Sequence, residues 1–446
     1  MQKDRKKLII DSGVIGAALF AMYFGAGNMI FPPFLGLWSR SEWFAGFLGY
    51  YLADIGLAIV AMFALIKAKG SDKLLKSVGR IPGEILLFAI ILCIGPVISI
   101  PRTAATTYEL SIQSLAPSFN MTVFYAIFFI VITLLSINES KVVDLVGKFL
   151  TPLLFIGLIF LIIKGVIDPR GVVPNIPGAS NVIEAGIEAG YQTMDALASV
   201  IFGALILGSA AQKGHTEPKE QAKVAAGASL VAGAGLLIVY LGLTYLGATL
   251  SGIYNIKINR TRLLIYLIKS VIPGQAGMIF FAVVAGLACV STAIALVSSS
   301  ADYFAGLTKN KISYKVFVVA ISVFSFFSAS MGVEALINLA APILGIVYPA
   351  VMVLVIIGFI HDHIGPWTCR LSVAAALVIA VLETLLPYGI DIAFLHKLPL
   401  ALYGFGWLVP AIVFGIAGFI IDKFVVKKVG MHQDETPAIE ITETVA

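Results

Sequence analysis

The sequence predicts an all-α polytopic membrane protein with twelve transmembrane helices. Of its 446 residues, 59% are hydrophobic and only 12% are charged, whereas about 25% of the residues in soluble domains are charged. The apolar runs are continuous, and they lack the alternation of the strands in a β-barrel. These observations exclude a soluble enzyme, a disordered protein and a secreted disulfide-stabilised domain. The net charge of +5 reflects basic loops and does not indicate nucleic-acid binding.

Twelve apolar runs are expected to cross the bilayer, for which a helix needs about 20 residues. In the first half they are about Leu8–Trp38, Trp43–Lys67, Glu84–Ile112, Thr122–Ile137, Val142–Ile167 and Val182–Ala211. In the second half they are about Ala222–Leu250, Gly277–Phe304, Val316–Ser330, Leu336–Ile360, Leu371–Leu386 and Leu400–Val426. The small residues from Ala225 to Gly235 predict a seam of close helix packing.

The predicted orientation places both termini in the cytoplasm. With the N-terminus inside, most of the 30 Lys and Arg residues fall in inner loops, as the positive-inside rule requires. The first apolar run extends to about Trp38, which is too long for a cleaved signal segment. We expect residues 1–430 to form one multi-pass membrane domain, and residues 431–446 to form a disordered cytoplasmic tail.

The first run contains the strongest local signal, FGAGNMIFPPFLG, from Phe24 to Gly36. Gly costs a helix about 1 kcal/mol relative to Ala, and Pro removes a backbone hydrogen bond. Roughly 24 Å of helix separates Leu8 from Phe24, so the predicted break lies near the middle of the bilayer. Freed backbone groups are costly there unless they line a polar cavity. Such breaks are typical of secondary transporters, and the alternative is a simple kink without a ligand.

A second break is expected five helices later, because transporters of this kind contain inverted repeats. The sixth run carries Asp195 near its middle, close in sequence to Thr193 and Ser199. An ionisable residue at this depth predicts a functional site. Alternatively, Asp195 caps a half-helix or pairs with a neighbour, and the two interpretations are compatible.

The eighth run predicts a cation site. Ala288, Ser291 and Thr292 are spaced i, i+3 and i+4, which places them on one face of a helix. Their carbonyl and two hydroxyls, with two carbonyls from the broken first helix, would supply about five oxygens for a dehydrated monovalent cation. The alternative is that each hydroxyl bonds a carbonyl of its own helix.

Three further charged residues lie within apolar runs. Asp54 is midway along the second run and Arg102 is towards the outer end of the third. We expect these two to pair with each other, and the alternative is that they line an access path. Lys148 is expected to extend to the inner interface, or else to supply an ammonium group that replaces sodium in a proton-coupled protein.

Three segments resemble the branched-chain amino acid:cation symporter family: FGAGNMIFPPFLG, GYQTMDALASVIFG and LACVSTAIALVSSSADYF. The resemblance extends over essentially the whole chain. It implies membership of the amino acid–polyamine–organocation superfamily and the LeuT fold, with discontinuous helices 1 and 6. In that fold, residues 8–167 and 182–360 would form a 5+5 inverted repeat, and residues 371–426 would form two additional helices.

The resemblance also implies sites. The superfamily's sodium ligands correspond to the backbone carbonyls of Ala21, Phe24 and Ala288 and to the hydroxyls of Ser291 and Thr292. The substrate carboxylate would meet the amides of Gly25, Ala26 and Gly27, and the amino group would meet carbonyls between Thr193 and Ala198. The substrate-binding residues implied are Tyr23, Phe24, Gly25, Ala26, Gly27, Asn28, Thr193, Met194, Asp195, Ala196 and Ala198.

The implied function is sodium-coupled import of leucine, isoleucine and valine across the bacterial inner membrane. Sodium is the coupling ion, and we expect no organic cofactor, no nucleic acid and no obligate protein partner beside the lipid bilayer. The alternative is a proton-coupled amino acid symporter of the same superfamily that uses Asp195, Asp54 or Lys148. Two occluding helix breaks argue against a channel, and the absence of nucleophile–base motifs argues against an intramembrane enzyme.

Overall fold

A computed structural model describes residues 2–68, 74–75, 77–137, 151–179, 181–360, 363–389 and 392–426. Within these ranges every regular element is a helix, which confirms the predicted all-α class. Lys148 and the predicted tail, residues 431–446, lie outside the described residues.

The first half of the chain contains the broken first span and a second, unexpected break in the third span. They are α1 (Gln2–Tyr23), α2 (Ala26–Ser39), α3 (Trp43–Tyr51), α4 (Leu57–Ala68), α5 (Arg80–Leu92), α6 (Ser99–Thr107), α7 (Gln113–Leu115), α8 (Met121–Ser136) and α9 (Thr151–Ile167). Widened π-helical turns cover Leu52–Gly56, Cys93–Val97 and Tyr108–Ile112.

The second half contains the other broken span and the longest helices. They are α10 (Val182–Thr193), α11 (Asp195–Gln212), α12 (Pro218–Thr249), α13 (Arg260–Val271), α14 (Gln275–Leu307), α15 (Tyr314–Ala329), α16 (Val333–Ile360), α17 (Pro366–Leu385) and α18 (Leu408–Ile421). A π-helical turn, Asp422–Val426, follows α18. The last predicted span was too long at its start, because regular helix begins only at Leu408. The helix α13 lies in a segment that was predicted to be an outer loop.

Several helical stretches are long and apolar enough to cross a bilayer, so the chain is a multi-pass membrane protein. Seven such stretches occur among the described residues: Ala26–Ala68, Arg80–Leu115, Val182–Gln212, Pro218–Thr249, Gln275–Leu307, Val333–Ile360 and Pro366–Leu385. Three shorter apolar helices are Met121–Ser136, Thr151–Ile167 and Tyr314–Ala329. The full number of twelve spans stays a prediction.

The break in the first span lies at its glycines and does not involve its prolines. The helix α1 ends at Tyr23 and α2 begins at Ala26. In contrast to the sequence-based expectation, α2 continues through Pro32 and Pro33, which are both buried. Proline has a helical φ and removes only one hydrogen bond. Because the protein surrounds this turn, the freed carbonyls do not face lipid.

The third span is also broken, although the sequence was interpreted as one continuous helix from Glu84 to Ile112. Gly95 has φ −95° and ψ −126°, which is not a helical conformation, and Pro96 follows it. Proline disfavours a helical conformation of the residue before it, and glycine tolerates the alternative. The third span is therefore interrupted before α6, and every residue of α6 is buried.

The long helix α12 holds the two halves of the first span together. It packs against both α1 and α2. A Cβ built on Gly16 would lie 2.7 Å from the Ala228 carbonyl oxygen, and one built on Gly227 would lie 2.7 Å from Ser12 Oγ. These contacts confirm that the segment from Ala225 to Gly235 is a packing seam, where small residues let two helices approach closely.

Candidate functional site

The two interrupted helices meet at the centre of the protein. At the first break Gly25 is extended, with φ −120° and ψ −154°, and the amides of α2 begin immediately after it. At the second break Met194 has a left-handed conformation, with φ 68° and ψ 16°. This second break lies within the predicted sixth span, as expected, although no Gly or Pro marks it. A left-handed residue ends α10, and a new helix starts at Asp195.

The Asn28 side chain links the two breaks. Its Oδ1 accepts a hydrogen bond from the Gly25 amide at 3.2 Å, and its Nδ2 donates to Asp195 Oδ2 at 2.8 Å. Asn28 Nδ2 is also hydrogen-bonded to the Tyr240 hydroxyl, and that hydroxyl donates to the same Asp195 oxygen at 3.0 Å. All three side chains are at least 98% buried. Asp195 is the first residue of α11, where the helix dipole favours a carboxylate. Its side chain also connects the second break to the first through its hydrogen bond from Asn28.

A second connection joins the end of α1 to α11. The hydroxyls of Tyr23 and Ser199 are hydrogen-bonded at 2.7 Å. Ser199 Oγ also lies 2.9 Å from the Asp195 carbonyl oxygen and 3.1 Å from the Ala58 carbonyl oxygen. This bond holds the last turn of α1 against the first turn of α11, so the two breaks are fixed relative to each other.

Oxygen atoms from α1 and α14 converge beside the first break. Ser291 Oγ lies 2.8 Å from the Ala21 carbonyl oxygen and 2.9 Å from that of Ala288. Thr292 Oγ1 lies 3.3 Å from the same Ala21 oxygen. Ser291 therefore makes both predicted contacts, one to a carbonyl of its own helix and one to a carbonyl of the first span. The backbone amide of Phe24 completes the last turn of α1 by donating to the Phe20 carbonyl at 2.8 Å.

A narrow cavity lies between the breaks. It is lined by Met22, Tyr23, Gly25, Ala26, Gly27, Asn28, Ile94, Ser99, Arg102, Thr193, Met194, Asp195, Ala198, Thr292 and Leu296. Of the substrate-binding residues that the sequence predicted, only Phe24 and Ala196 do not line this cavity, and both of these described residues are buried. Both breaks therefore line one cavity, and Thr292 connects this cavity to the converging oxygens.

The expected pairing of Asp54 with Arg102 was wrong. The described residues contain no ion pair between them within 4.0 Å, and Arg102 instead lines the cavity. Arg102 lies over the Phe31 ring at 5.7 Å. Asp54 is fully buried in the widened turn before α4, near Tyr50, Thr193 and Asp195. Neither of its carboxylate oxygens has a hydrogen-bond partner within 3.5 Å among the described residues.

Sequence reasoning missed several residues of this site, namely Met22, Ile94, Ser99, Tyr240 and Leu296. It gave Arg102 only as an alternative, as a residue that lines an access path. A signal for the third span was present, because CIGPVISIPR combines Gly and Pro as the first span does. Tyr240 had no comparable signal, since a tyrosine within an apolar run is ordinarily part of a packed interface.

Broken helices whose ends meet around a buried cavity are typical of secondary transporters. A family model described as "Branched-chain amino acid transport protein" matches residues 9–425. The chain belongs to this family. It is 31% identical to the branched-chain amino acid permease BraB of Bacillus subtilis (strain 168), over 93% of this chain and 96% of BraB. It is 33% identical to BrnQ of the same strain, over 92% and 96%. It is therefore a transport protein and not an enzyme.

Solved transporters share the fold. A Na+-coupled sialic acid symporter matches 92% of this chain and 89% of its own, with a TM-score of 0.63 and 13% identity. Mhp1, a nucleobase-cation-symport-1 family transporter, matches 93% of both chains, with a TM-score of 0.61 and 15% identity. The manganese transporter of Eremococcus coleocola matches 94% and 96%, with a TM-score of 0.59 and 14% identity. At these identities the likeness concerns the fold alone.

The left-handed Met194 leads to a prediction about the second break. We expect Met194→Gly to be more stable than Met194→Ala by about 1–2 kcal/mol, because both variants lose the same buried side chain but only glycine adopts this conformation without steric cost. Thermal unfolding of the two variants in detergent measures the difference. Equal stability of the two variants would show that the break does not depend on this conformation.

Proposed function

We propose that this protein is a sodium-coupled symporter that imports leucine, isoleucine and valine by alternating access. The observation that carries the proposal is the convergence of the Ser291 and Thr292 hydroxyls on the Ala21 carbonyl, beside the break in the first span. With the carbonyls of Phe24 and Ala288, these oxygens would bind a dehydrated monovalent cation, which prefers oxygen dipoles. The names of the permeases BraB and BrnQ support the substrate class.

The substrate would bind between the breaks. The first amides of α2, at Ala26 and Gly27, are suited to a carboxylate, because they lack backbone partners within the helix and lie at the positive end of its dipole. The Gly25 amide, which donates to Asn28 Oδ1 at 3.2 Å, lies next to them and would have to exchange this bond for one to the substrate. Carbonyls around Thr193, at the end of α10, are suited to an ammonium group. Met22, Ile94 and Leu296 add apolar surface to the cavity, and this surface favours an aliphatic side chain at about 0.8 kcal/mol per buried CH₂.

The architecture proposed for this mechanism is the LeuT arrangement. Residues 8–167 and 182–360 would form inverted repeats, each starting with a broken helix, and residues 371–426 would add two helices. The positions of the breaks, at Gly25 and Met194, support this symmetry, as do the fold neighbours. Twelve spans then place both termini in the cytoplasm of a bacterium, with the domain in the inner membrane.

Coupling to sodium would supply the driving force. One sodium ion that enters with a neutral zwitterion moves one charge, which is worth about 2.3 kcal/mol per 100 mV. This alone supports roughly fiftyfold accumulation of the amino acid at about 100 mV. The chemical gradient of sodium adds to it.

A specific observation favours proton coupling as a second candidate. Asp54 is buried next to the second break, and neither of its carboxylate oxygens is hydrogen-bonded within the described part of the chain. A carboxylate without partners in a membrane interior is costly, so a proton that neutralises Asp54 during transport would lower this cost. In this alternative the coupling ion is a proton, and the substrate site is unchanged.

Uptake of labelled leucine into proteoliposomes separates the two candidates. Sodium, potassium and pH are varied independently, with and without a membrane potential. We expect uptake to require an inward sodium gradient and to increase when the inside is negative. Full uptake in sodium-free buffer, driven by a pH gradient alone, would contradict sodium coupling and support the proton-coupled alternative.

The predicted cation ligands can be tested one at a time. Ser291→Ala or Thr292→Ala should raise the sodium concentration for half-maximal uptake by roughly five- to a hundredfold, because each variant loses one oxygen of the shell. Ser322→Ala is the matched control, since Ser322 is also buried but its hydroxyl bonds the Val318 carbonyl of its own helix at 2.8 Å. An unchanged sodium dependence in both variants would place the cation elsewhere.

Substitutions at the two glycines of the first break should weaken the binding of different ligands, sodium for Gly25 and leucine for Gly27. A Cβ on Gly25 would lie 2.8 Å from Thr292 Oγ1, whereas a Cβ on Gly27 would lie 2.9 Å from Arg102 Nη2. Gly25→Ala should therefore weaken sodium activation, and Gly27→Ala should mainly raise the KM for leucine; the larger Gly27→Leu should abolish leucine binding. The control is Gly208→Ala, because a Cβ on Gly208 has no atom within 4 Å. Normal leucine affinity in Gly27→Leu would show that this stretch is only a kink.

A further inference from the structure

We propose that Arg102 binds the carboxylate of the transported amino acid and thereby selects zwitterionic substrates. This inference rests on the proposed amino acid transport function and adds to it a side chain of the third span. Arg102 lies on α6 and lines the same cavity as Gly27 and Asp195. It is only 1% exposed, so a permanently charged group is held in the interior of a membrane protein.

No acidic side chain of the described residues forms an ion pair with Arg102. Its Nε and Nη1 have no hydrogen-bond partner within the described ranges, and no carboxylate of these residues lies within 4.0 Å. Asp195 lines the same cavity, but its Oδ2 already accepts hydrogen bonds from Asn28 and Tyr240. An unpaired buried charge is strongly unfavourable. An anion that enters the cavity would remove this cost.

The guanidinium is placed where a carboxylate is expected. A Cβ built on Gly27 would lie 2.9 Å from Arg102 Nη2 and 3.5 Å from Cζ. The Arg102 side chain thus lies directly beside the first amides of α2. Guanidinium groups bind carboxylates through two parallel hydrogen bonds. The absence of a side chain at Gly27 lets the guanidinium and the backbone amides act on the same carboxylate.

Asp195 provides the complementary charge at the second break. It lines the same cavity, but forms no ion pair with Arg102 within 4.0 Å. An α-amino acid carries an ammonium and a carboxylate on neighbouring atoms, so a site with one cation and one anion matches both. Asp54 is not one of the described residues that line the cavity. Because Arg102 is the proposed partner of the carboxylate, we expect an analogue that lacks the carboxylate to bind more weakly than the amino acid.

Arg260 offers a matched control within the same chain. Its guanidinium also contacts the Phe31 ring, at 5.8 Å, close to the 5.7 Å of Arg102. However, Arg260 is paired with Glu334 at 2.7 Å and is partly exposed, with 26% side-chain accessibility. It does not line the cavity. The two arginines therefore differ in whether the protein already neutralises them.

The experiment measures the affinities of leucine, leucinol and 4-methylpentanoate for the purified full chain by ligand-induced stabilisation against thermal unfolding. Leucinol lacks the carboxylate, and 4-methylpentanoate lacks the ammonium. In the wild type we expect leucine to bind at least about tenfold more tightly than leucinol. Arg102→Gln should weaken leucine binding by roughly ten- to a hundredfold and leave leucinol binding nearly unchanged. The leucine affinity of Arg102→Lys should be intermediate, because lysine keeps the positive charge but cannot form two parallel hydrogen bonds to a carboxylate. Arg260→Gln should keep the wild-type ratio.

The possible outcomes separate this inference from the proposed function. If the wild type binds leucine but Arg102→Gln retains the leucine-to-leucinol ratio, the Arg102 assignment is wrong and the transport proposal stands. Equal affinity of the wild type for leucine and leucinol would overturn the assignment without any variant, which covers the case in which Arg102→Gln does not fold. If the wild type binds none of the branched-chain amino acids, the proposed function fails, and the carboxylate site fails with it.

Discussion

Backbone groups freed by a helix break inside a membrane need partners within the protein, since lipid offers none. The side-chain amide of Asn28 meets this need at the first break, where its oxygen accepts from the Gly25 backbone amide. Its nitrogen donates to the Asp195 carboxylate, which also accepts from Tyr240, and so links the first break to the second. Because Tyr240 lies on α12, the helix that packs against both halves of the first span, the breaks and their support form one continuous unit. The conformation of the cavity depends on this network.

The arrangement brings the two proposed ligands close together. Gly25 and Gly27 are separated by one residue, yet the first lies against Thr292 of the oxygen cluster and the second lies against Arg102. A change in the backbone at the start of α2 would therefore act on both sites at once. Coupling between two ligands requires that each binds one conformation better than the other. The shared turn offers a short physical route for this, and the Tyr23–Ser199 bond extends it to the second break.

Charge in this interior is distributed unusually. Arg102, Asp54 and Asp195 are all at least 98% buried, where the low dielectric constant makes each electrostatic interaction strong. Of the three, Asp195 has hydrogen-bond donors, Asp54 has none among the described residues, and Arg102 has two nitrogen atoms without partners. Membrane proteins retain such groups mainly where they bind substrates or ions. Buried charges without partners are expected in a transporter whose proposed substrate supplies the missing partners when it binds.

The sequence by itself determined the all-helical membrane class, the first break and the hydroxyl pair of α14, because these depend on local rules. Long apolar runs need a bilayer, glycines disrupt a helix, and the i, i+3, i+4 spacing selects one face. It also pointed to the region of the second break through Asp195. Only the tertiary structure decided that Pro32 and Pro33 remain helical, that Asp54 and Arg102 do not pair, and that Tyr240 and Arg102 belong to the site. These features depend on the packing of distant helices, and such contacts have no signature within a single span. The interruption at Gly95 is the exception, because Gly95 and Pro96 gave a local signal for it.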